Sequence, residues 1–218
     1  MYSPSTANSS DQPGTTNSMK MRRVEQKYSV SASLADEICS WARQHMQVDQ
    51  HCRQTPPTDG LDAHSYGLTT LYLDTPQWDL FYRQSDSISS KHRLRRYNNE
   101  KTVWLETKRK RRQIVRKRRT PICDSETKQL WQTETASDSF PTAMWQGHWF
   151  RDNLQRFDLR PAVIVRYIRH AFVAETSSNT ARLTIDSHIC AERASDYYLP
   201  TFSRQGCELL PHARIVEL

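Results

Sequence analysis

The chain has 218 residues, 31 Lys and Arg against 24 Asp and Glu, a formal charge of +7 and only 36% apolar residues, with a mean hydropathy of −0.81. That composition fits one soluble basic domain of modest core, and it excludes several domains or a run of roughly 18 apolar residues able to cross a bilayer. The five glycines, at positions 14, 60, 67, 147 and 206, cannot form a G-x-G-x-x-G or P-loop pattern, so any phosphate is expected to be held by side chains.

In chain order, the first twenty residues hold eleven Ser, Thr, Asn or Gln and no positive charge before Lys20. They predict a disordered polar tail over 1–20 and a folded domain over 21–218. Arg23 to Val30 alternates as a strand, with Glu25 and Lys27 on one face. Ser33 is placed to cap a helix through Leu34, Ile38 and Trp41. Tyr66 to Asp74 reads as a strand, and Asp74-Thr75-Pro76 opens a short helix through Trp78 and Phe81. Ile88 to Tyr97, the turn Asn98-Asn99 and Lys101 to Lys108 read as a hairpin, followed by a turn near 109–112 and a strand from Gln113 to Ile122. Residues 124–157 read as helical, with Trp131, Phe140, Met144, Trp145, Trp149, Leu154 and Phe157 at packing positions. Pro161 to Ala174 and Ala181 to Asp186 form a second hairpin, and Arg214 to Leu218 a last short strand. Cys39, Cys52, Cys123, Cys190 and Cys207 are odd in number and free of any C-x-x-C pair. This pattern predicts neither a disulfide framework nor structural zinc, and a reducing, cytoplasmic setting.

The charge is concentrated. Residues 91–119 carry fourteen Lys or Arg against two Glu, leaving 17 cations against 22 carboxylates elsewhere. The densest run, Lys108 to Arg119, is open to a nucleic-acid-binding reading. Its neighbours alternate with apolar residues, however, and period-2 counting sorts the charges onto faces. Lys91, Arg93 and Arg95 share one; Glu106 and Lys108 share one, opposite Val103 and Leu105; Val165, Tyr167 and Arg169 share one; Arg182, Thr184 and Asp186 share one. Between 113 and 122, Arg116 and Arg118 lie on one side and Lys117 and Arg119 on the other, and parity does not choose between them.

A sheet cannot place such faces in an apolar core without a large desolvation cost. They either face bulk water or line a barrel with a wide, wet interior, and the low apolar content favours the second. The expected fold is therefore α+β, an antiparallel β tunnel closed into a barrel with a charged, hydrated interior and flanking helices. Inward cations repel one another unless a polyanion neutralises them. Glu25, Glu106, Asp186 and Glu217 would then ligate Mg²⁺ or Mn²⁺ or orient the cations.

An ordered series of segments carries a resemblance: VEQKY (24–28), TLYLDTP (70–76), HRLRRY (92–97), VWLETKRK (103–110), VRKRR (115–119), VRYIRHAF (165–172), ARLTID (181–186) and IVEL (215–218). The series resembles the polyphosphate-polymerase domain of the vacuolar transporter chaperone proteins, within the triphosphate tunnel metalloenzyme superfamily. The related adenylate cyclase and thiamine triphosphatase branch has E-x-E-x-K at the first strand. Here Arg23 stands where the first Glu would be, which favours the polymerase-like branch. The resemblance implies that Lys27, Arg93, Arg95, Lys108, Arg169 and Arg182 grip substrate phosphates, with Arg116, Arg118 and Tyr167 as further phosphate contacts. It also implies that Glu217, joined by Glu106 and Glu25, serves Mn²⁺ or Mg²⁺. The implied reaction passes the γ-phosphoryl of ATP to a polyphosphate chain, with ADP leaving; a membrane-bound partner that would carry product away is left open by the sequence. A triphosphate or polyphosphate hydrolase of the same fold, and a non-catalytic binder of polyphosphate or nucleic acid, are the alternatives.

Overall fold

The computed structural model describes residues 25–53, 61–84, 90–111, 114–132, 145–177 and 179–218. The tail predicted over 1–20, Arg23, and Phe140 and Met144 lie outside the described residues. β1 (Lys27–Ser31) runs into α1 (Ala32–His45), then β2 (Gln47–Val48) and the one-turn α2 (Gln50–Arg53). β3 (Ser65–Asp74), the short α3 (Asp79–Tyr82), β4 (Ser90–Tyr97), β5 (Thr102–Arg111) and β6 (Ile114–Cys123) follow. A 3₁₀ segment (Asp124–Leu130) and α4 (His148–Arg156) lead to the long hairpin β7 (Arg160–Glu175) and β8 (Thr180–Arg193), then β9 (Cys207–Glu208) and β10 (Ala213–Glu217).

The strands make one antiparallel sheet in the order β1-β10-β8-β7-β3-β4-β5-β6, with β2 alongside β7 and β9 alongside β8. Among the described residues no ladder joins β1 to β6, so the closed barrel expected from the sequence is corrected to a curled, open sheet. The terminal strand explains the gap. Arg116, Lys117 and Arg118 on β6 are exposed, and cations along an edge disfavour pairing with another strand.

The two faces differ sharply. On one, Leu71, Leu73, Leu94, Val103, Leu105 and Ile164 pack against Phe150 and Leu154 of α4 and Leu130 of the 3₁₀ segment. Farther along, Phe172, Leu183, Ile185 and Val216 pack against Ala35, Cys39 and Ala42 of α1, which recur at the helical spacing of four and three. The other face carries the charges, as the alternation predicts.

Five local readings change, two of them slightly: α3 begins at Asp79 and not at Asp74-Thr75-Pro76, and β5 runs to Arg111, through the turn expected near 109–112. Ser31, not Ser33, caps α1: it is extended, and its Oγ accepts a hydrogen bond from the Leu34 amide at 3.2 Å, so the helix starts directly off the strand. The region 124–157 is not one helix but a 3₁₀ turn and the nine residues of α4 around a stretch outside the described residues. β8 continues to Arg193, well past Asp186. The Asn98-Asn99 turn forms as expected, Asn98 adopting a left-handed φ of 46° while its Oδ1 accepts from the Gly67 amide at 2.6 Å. Gly67 is required by close approach, since a Cβ there would lie 2.3 Å from the Phe202 ring. All five cysteines are free. Among the described residues no helix is long and apolar enough to cross a membrane.

Candidate functional site

The register aligns the charged face across the sheet. Lys27 on β1 lies opposite Glu217 on β10, and Glu217 opposite Thr184 on β8. Arg169 on β7 pairs with Asp186 on β8 and Tyr66 on β3. Tyr72 on β3, Arg93 on β4, Glu106 on β5 and Arg119 on β6 form another row. This face is concave, because Lys108 Nζ on β5 reaches the Glu25 carboxylate ahead of β1 at 2.5 Å. The two arms of the sheet thus enclose a bore.

Glu106 organises one wall. Its side chain is 2% exposed and ion-pairs with Arg93 at 2.6 Å, Arg119 at 3.1 Å, Lys117 at 3.3 Å and Arg95 at 3.9 Å. Burial alone would raise its carboxyl, but Arg95, Arg93 and Lys117 outweigh that and hold it at about 2. Burial pulls the Lys117 ammonium the other way, down, against the pull of Glu106. Arg95 also donates to Thr70 Oγ1 at 3.2 Å and to the Tyr167 hydroxyl at 3.3 Å. On β7, 5.3 Å over the Tyr167 ring, Arg169 forks onto Asp186 at 2.6 and 2.7 Å. Lys27 meets Glu217 at 3.0 Å. Burial would raise the Glu217 carboxyl as well; Lys27, Arg169 and Lys108 lower it.

The bore thus gathers Lys27, Arg93, Arg95, Lys108, Arg169 and Tyr167, all singled out in the sequence. Arg182 sits at one end of the same face, where it donates to Asp49 Oδ2 at 3.1 Å and to the Tyr66 hydroxyl at 3.3 Å. Arg116 and Arg118 are corrections. The pairing of Arg119 with Glu106 and of Lys117 with Lys108 turns Lys117 and Arg119 inward, so Arg116 and Arg118 point away from the bore. Arg118 stacks instead over the Trp149 ring of α4, 4.1 Å from its centroid. The parity left open by the sequence is decided by the register of the β5–β6 hairpin.

The acidic set is corrected too. Glu106 is enclosed by cations and orients them, Glu25 is taken by Lys108, and among the described residues no group of three His, Cys, Asp or Glu could hold a metal. A protein-only metal cage does not fit these residues. Glu217, on the bore wall and paired with Lys27, fits the mode in which Mg²⁺ is held by one or two carboxylates together with substrate phosphates. Tyr66, Tyr72 and Asp49 escaped the sequence reading, whereas Lys117 and Arg119 were the pair that parity left open. The hydroxyl of Tyr72 accepts from Arg93 at 3.5 Å, and its place in Y-x-D-T-P was the available signal.

The described residues thus form an antiparallel sheet curled around a bore lined by cations and their partner carboxylates. The family model described as the VTC domain matches residues 22–218, and the chain belongs to that family. No curated protein matches the chain. Among solved structures it is similar to a Bacillus halodurans protein described as a candidate adenylate cyclase, at 14% identity over 88% of this chain and 77% of that one, with a TM-score of 0.47. It is similar also to a Pyrococcus horikoshii OT3 protein, at 14% identity over 89% and 77%, with a TM-score of 0.41. A third is HpAC1 from Hippeastrum, described as a candidate adenylyl cyclase with a dominant triphosphatase activity, at 14% identity over 88% and 77%, with a TM-score of 0.44.

Proposed function

We propose that the bore binds linear triphosphate or polyphosphate chains and that the protein is a phosphotransferase, passing the γ-phosphoryl of ATP to the end of a polyphosphate chain. The observation that carries this reading is the set of arginines around Glu106, joined by Arg169, which lies over the Tyr167 ring that Arg95 also contacts. Their guanidiniums are held in fixed orientation by carboxylates and hydroxyls, so they meet phosphate oxygens with little reorganisation. A terminal phosphate oxygen of the acceptor would attack the γ-phosphorus while the bond to the β–γ bridging oxygen breaks and ADP leaves. Arg93, Arg95 and Arg169 would stabilise charge spread over the transferring oxygens, and the bore would keep attacking and leaving oxygens in line. Tyr167, bonded to Arg95, would orient that arginine. Glu217 would hold a divalent cation jointly with phosphate oxygens, the cation neutralising their charge.

Membership of the VTC family supports transfer to a phosphate acceptor. A second reading, hydrolysis of triphosphate or polyphosphate, is favoured by the packed end of the bore around Tyr66, Tyr97 and Cys52, which leaves little room for a polymer to exit. Incubation of purified protein with ATP and Mn²⁺ separates the two. Long-chain polyphosphate is the expected product, and release of orthophosphate alone would replace transfer by hydrolysis.

A further inference from the structure

The strand register sorts the charges of the concave face a second time, along the bore. Two residues from the row of Arg93, Glu106 and Arg119, toward the β5–β6 turn, Lys91 lies opposite Lys108 and Lys108 opposite Lys117. Neighbouring strands stand about 4.8 Å apart, and the lysine row is set off from the arginine row by about 7 Å. Lys91 is exposed, and the Lys108 and Lys117 side chains are 38% and 48% exposed, so this row meets water. Like charges placed directly opposite across a ladder are destabilising, and here three stand side by side. Lys108 has Glu25 and Lys117 has Glu106 as counterions. Lys91 makes no ion pair among the described residues. Its charge nevertheless reaches the bore. Burial would raise the Tyr72 hydroxyl, but Arg93, Arg95 and Lys91 outweigh that and lower it. A cation without a counterion among other cations does not serve the fold, and it is available to an anion from outside.

We propose that Lys91, Lys108 and Lys117 form a second phosphate subsite, and that Lys91 is the residue by which the bore prefers a triphosphate to a diphosphate. This inference rests on the bore's binding phosphate chains, as proposed above, and it adds an order to that binding. The arginine row takes the transferring phosphoryl through oriented, forked contacts, and the lysine row takes the phosphates behind it as point charges. A chain too short to span both rows forgoes the second set of contacts, so length is read as the number of rows a ligand can touch.

The full chain is titrated calorimetrically with pyrophosphate and with tripolyphosphate, without nucleotide or metal, as wild type, Lys91→Ala and Lys91→Arg. Lys91→Ala is expected to bind tripolyphosphate about tenfold more weakly, the scale of one lost charge-assisted contact, and pyrophosphate nearly as wild type does. Its melting temperature without ligand is expected to hold or to rise, since a like-charge contact is relieved. Lys91→Arg keeps the charge and is expected to keep the preference for tripolyphosphate. Equal losses for the two anions would make Lys91 part of a diffuse field and overturn the subsite, as would an unchanged affinity for tripolyphosphate. A loss of affinity that comes with a lower melting temperature would make Lys91 a structural residue and overturn it too. These three results leave the proposed function standing. Wild-type protein that binds neither anion would overturn the functional reading itself, and the subsite with it.

Discussion

Lys108 on β5 and Glu25, just ahead of β1, stand 2.5 Å apart although their strands lie toward opposite ends of the sheet order. The contact holds the two arms of the sheet in register across the bore without a backbone ladder. Both side chains are partly exposed, so the pair itself contributes no more than about 1 kcal/mol to stability. The Lys108 charge matters more to a ligand. Lys108→Ala is expected to weaken tripolyphosphate binding about tenfold or more, the scale of one lost charge-assisted contact, with little change in melting temperature. Calorimetric titration checks this, and unchanged affinity would remove Lys108 from the site.

Glu106 is the counterpoise of Arg93, Arg95, Lys117 and Arg119. Glu106→Gln leaves buried like charges facing one another, and the cost is about 3–5 kcal/mol, typical of breaking a buried ionic group. Added tripolyphosphate is expected to recover part of that loss, because the ligand supplies the missing negative charge. Denaturant unfolding with and without the anion measures both. A variant as stable as wild type, or one indifferent to the anion, would contradict the proposed role of Glu106.

The alternation of β6 gives a paired test. Arg119→Ala removes an inward cation and is expected to lower tripolyphosphate affinity by an order of magnitude, as estimated for a charge-assisted contact. Arg118→Ala removes an outward one, stacked on Trp149, and is expected to cost about 0.5–2 kcal/mol of stability while leaving affinity nearly unchanged. The reverse pattern, read by calorimetry and thermal unfolding, would mean that β6 is shifted by one residue.

That parity is also where the sequence stopped being legible. Arg116 to Arg119 are four cations in a row, so no apolar residue marks which face is buried, and only the pairing of Arg119 with Glu106 decides it. Elsewhere the alternation was clear because Val103 and Leu105 oppose Glu106 and Lys108, and Leu94 opposes Arg93 and Arg95. The β2–α2 segment was invisible for a different reason. It is too short for either period to register, and Asp49 acquires its meaning only from Arg182, 133 positions away. The open edge was equally hidden, since alternation specifies which way a side chain points and not whether the last strand finds the first.

Acid should act through Glu106. Its carboxyl ionises at about 2 in the folded protein against 4.5 ordinarily, so the stabilisation is fully present above about pH 4.5 and is lost as pH falls toward 2. The amount at stake is on the order of 3 kcal/mol. Stability measured without ligand from pH 6 to 2 is expected to decline across that window in wild type, with a shallower decline in Glu106→Gln. Identical slopes would show that Glu106 carries no linked proton.

The account depends most on the concave face being the place where phosphates sit. A crystal structure of the protein soaked with tripolyphosphate tests it directly. The phosphates are expected between Arg93, Arg95 and Arg169, within hydrogen-bond distance of their guanidiniums. Tripolyphosphate bound instead on the outer face of β6, at Arg116 and Arg118, with the bore left to water, would contradict it.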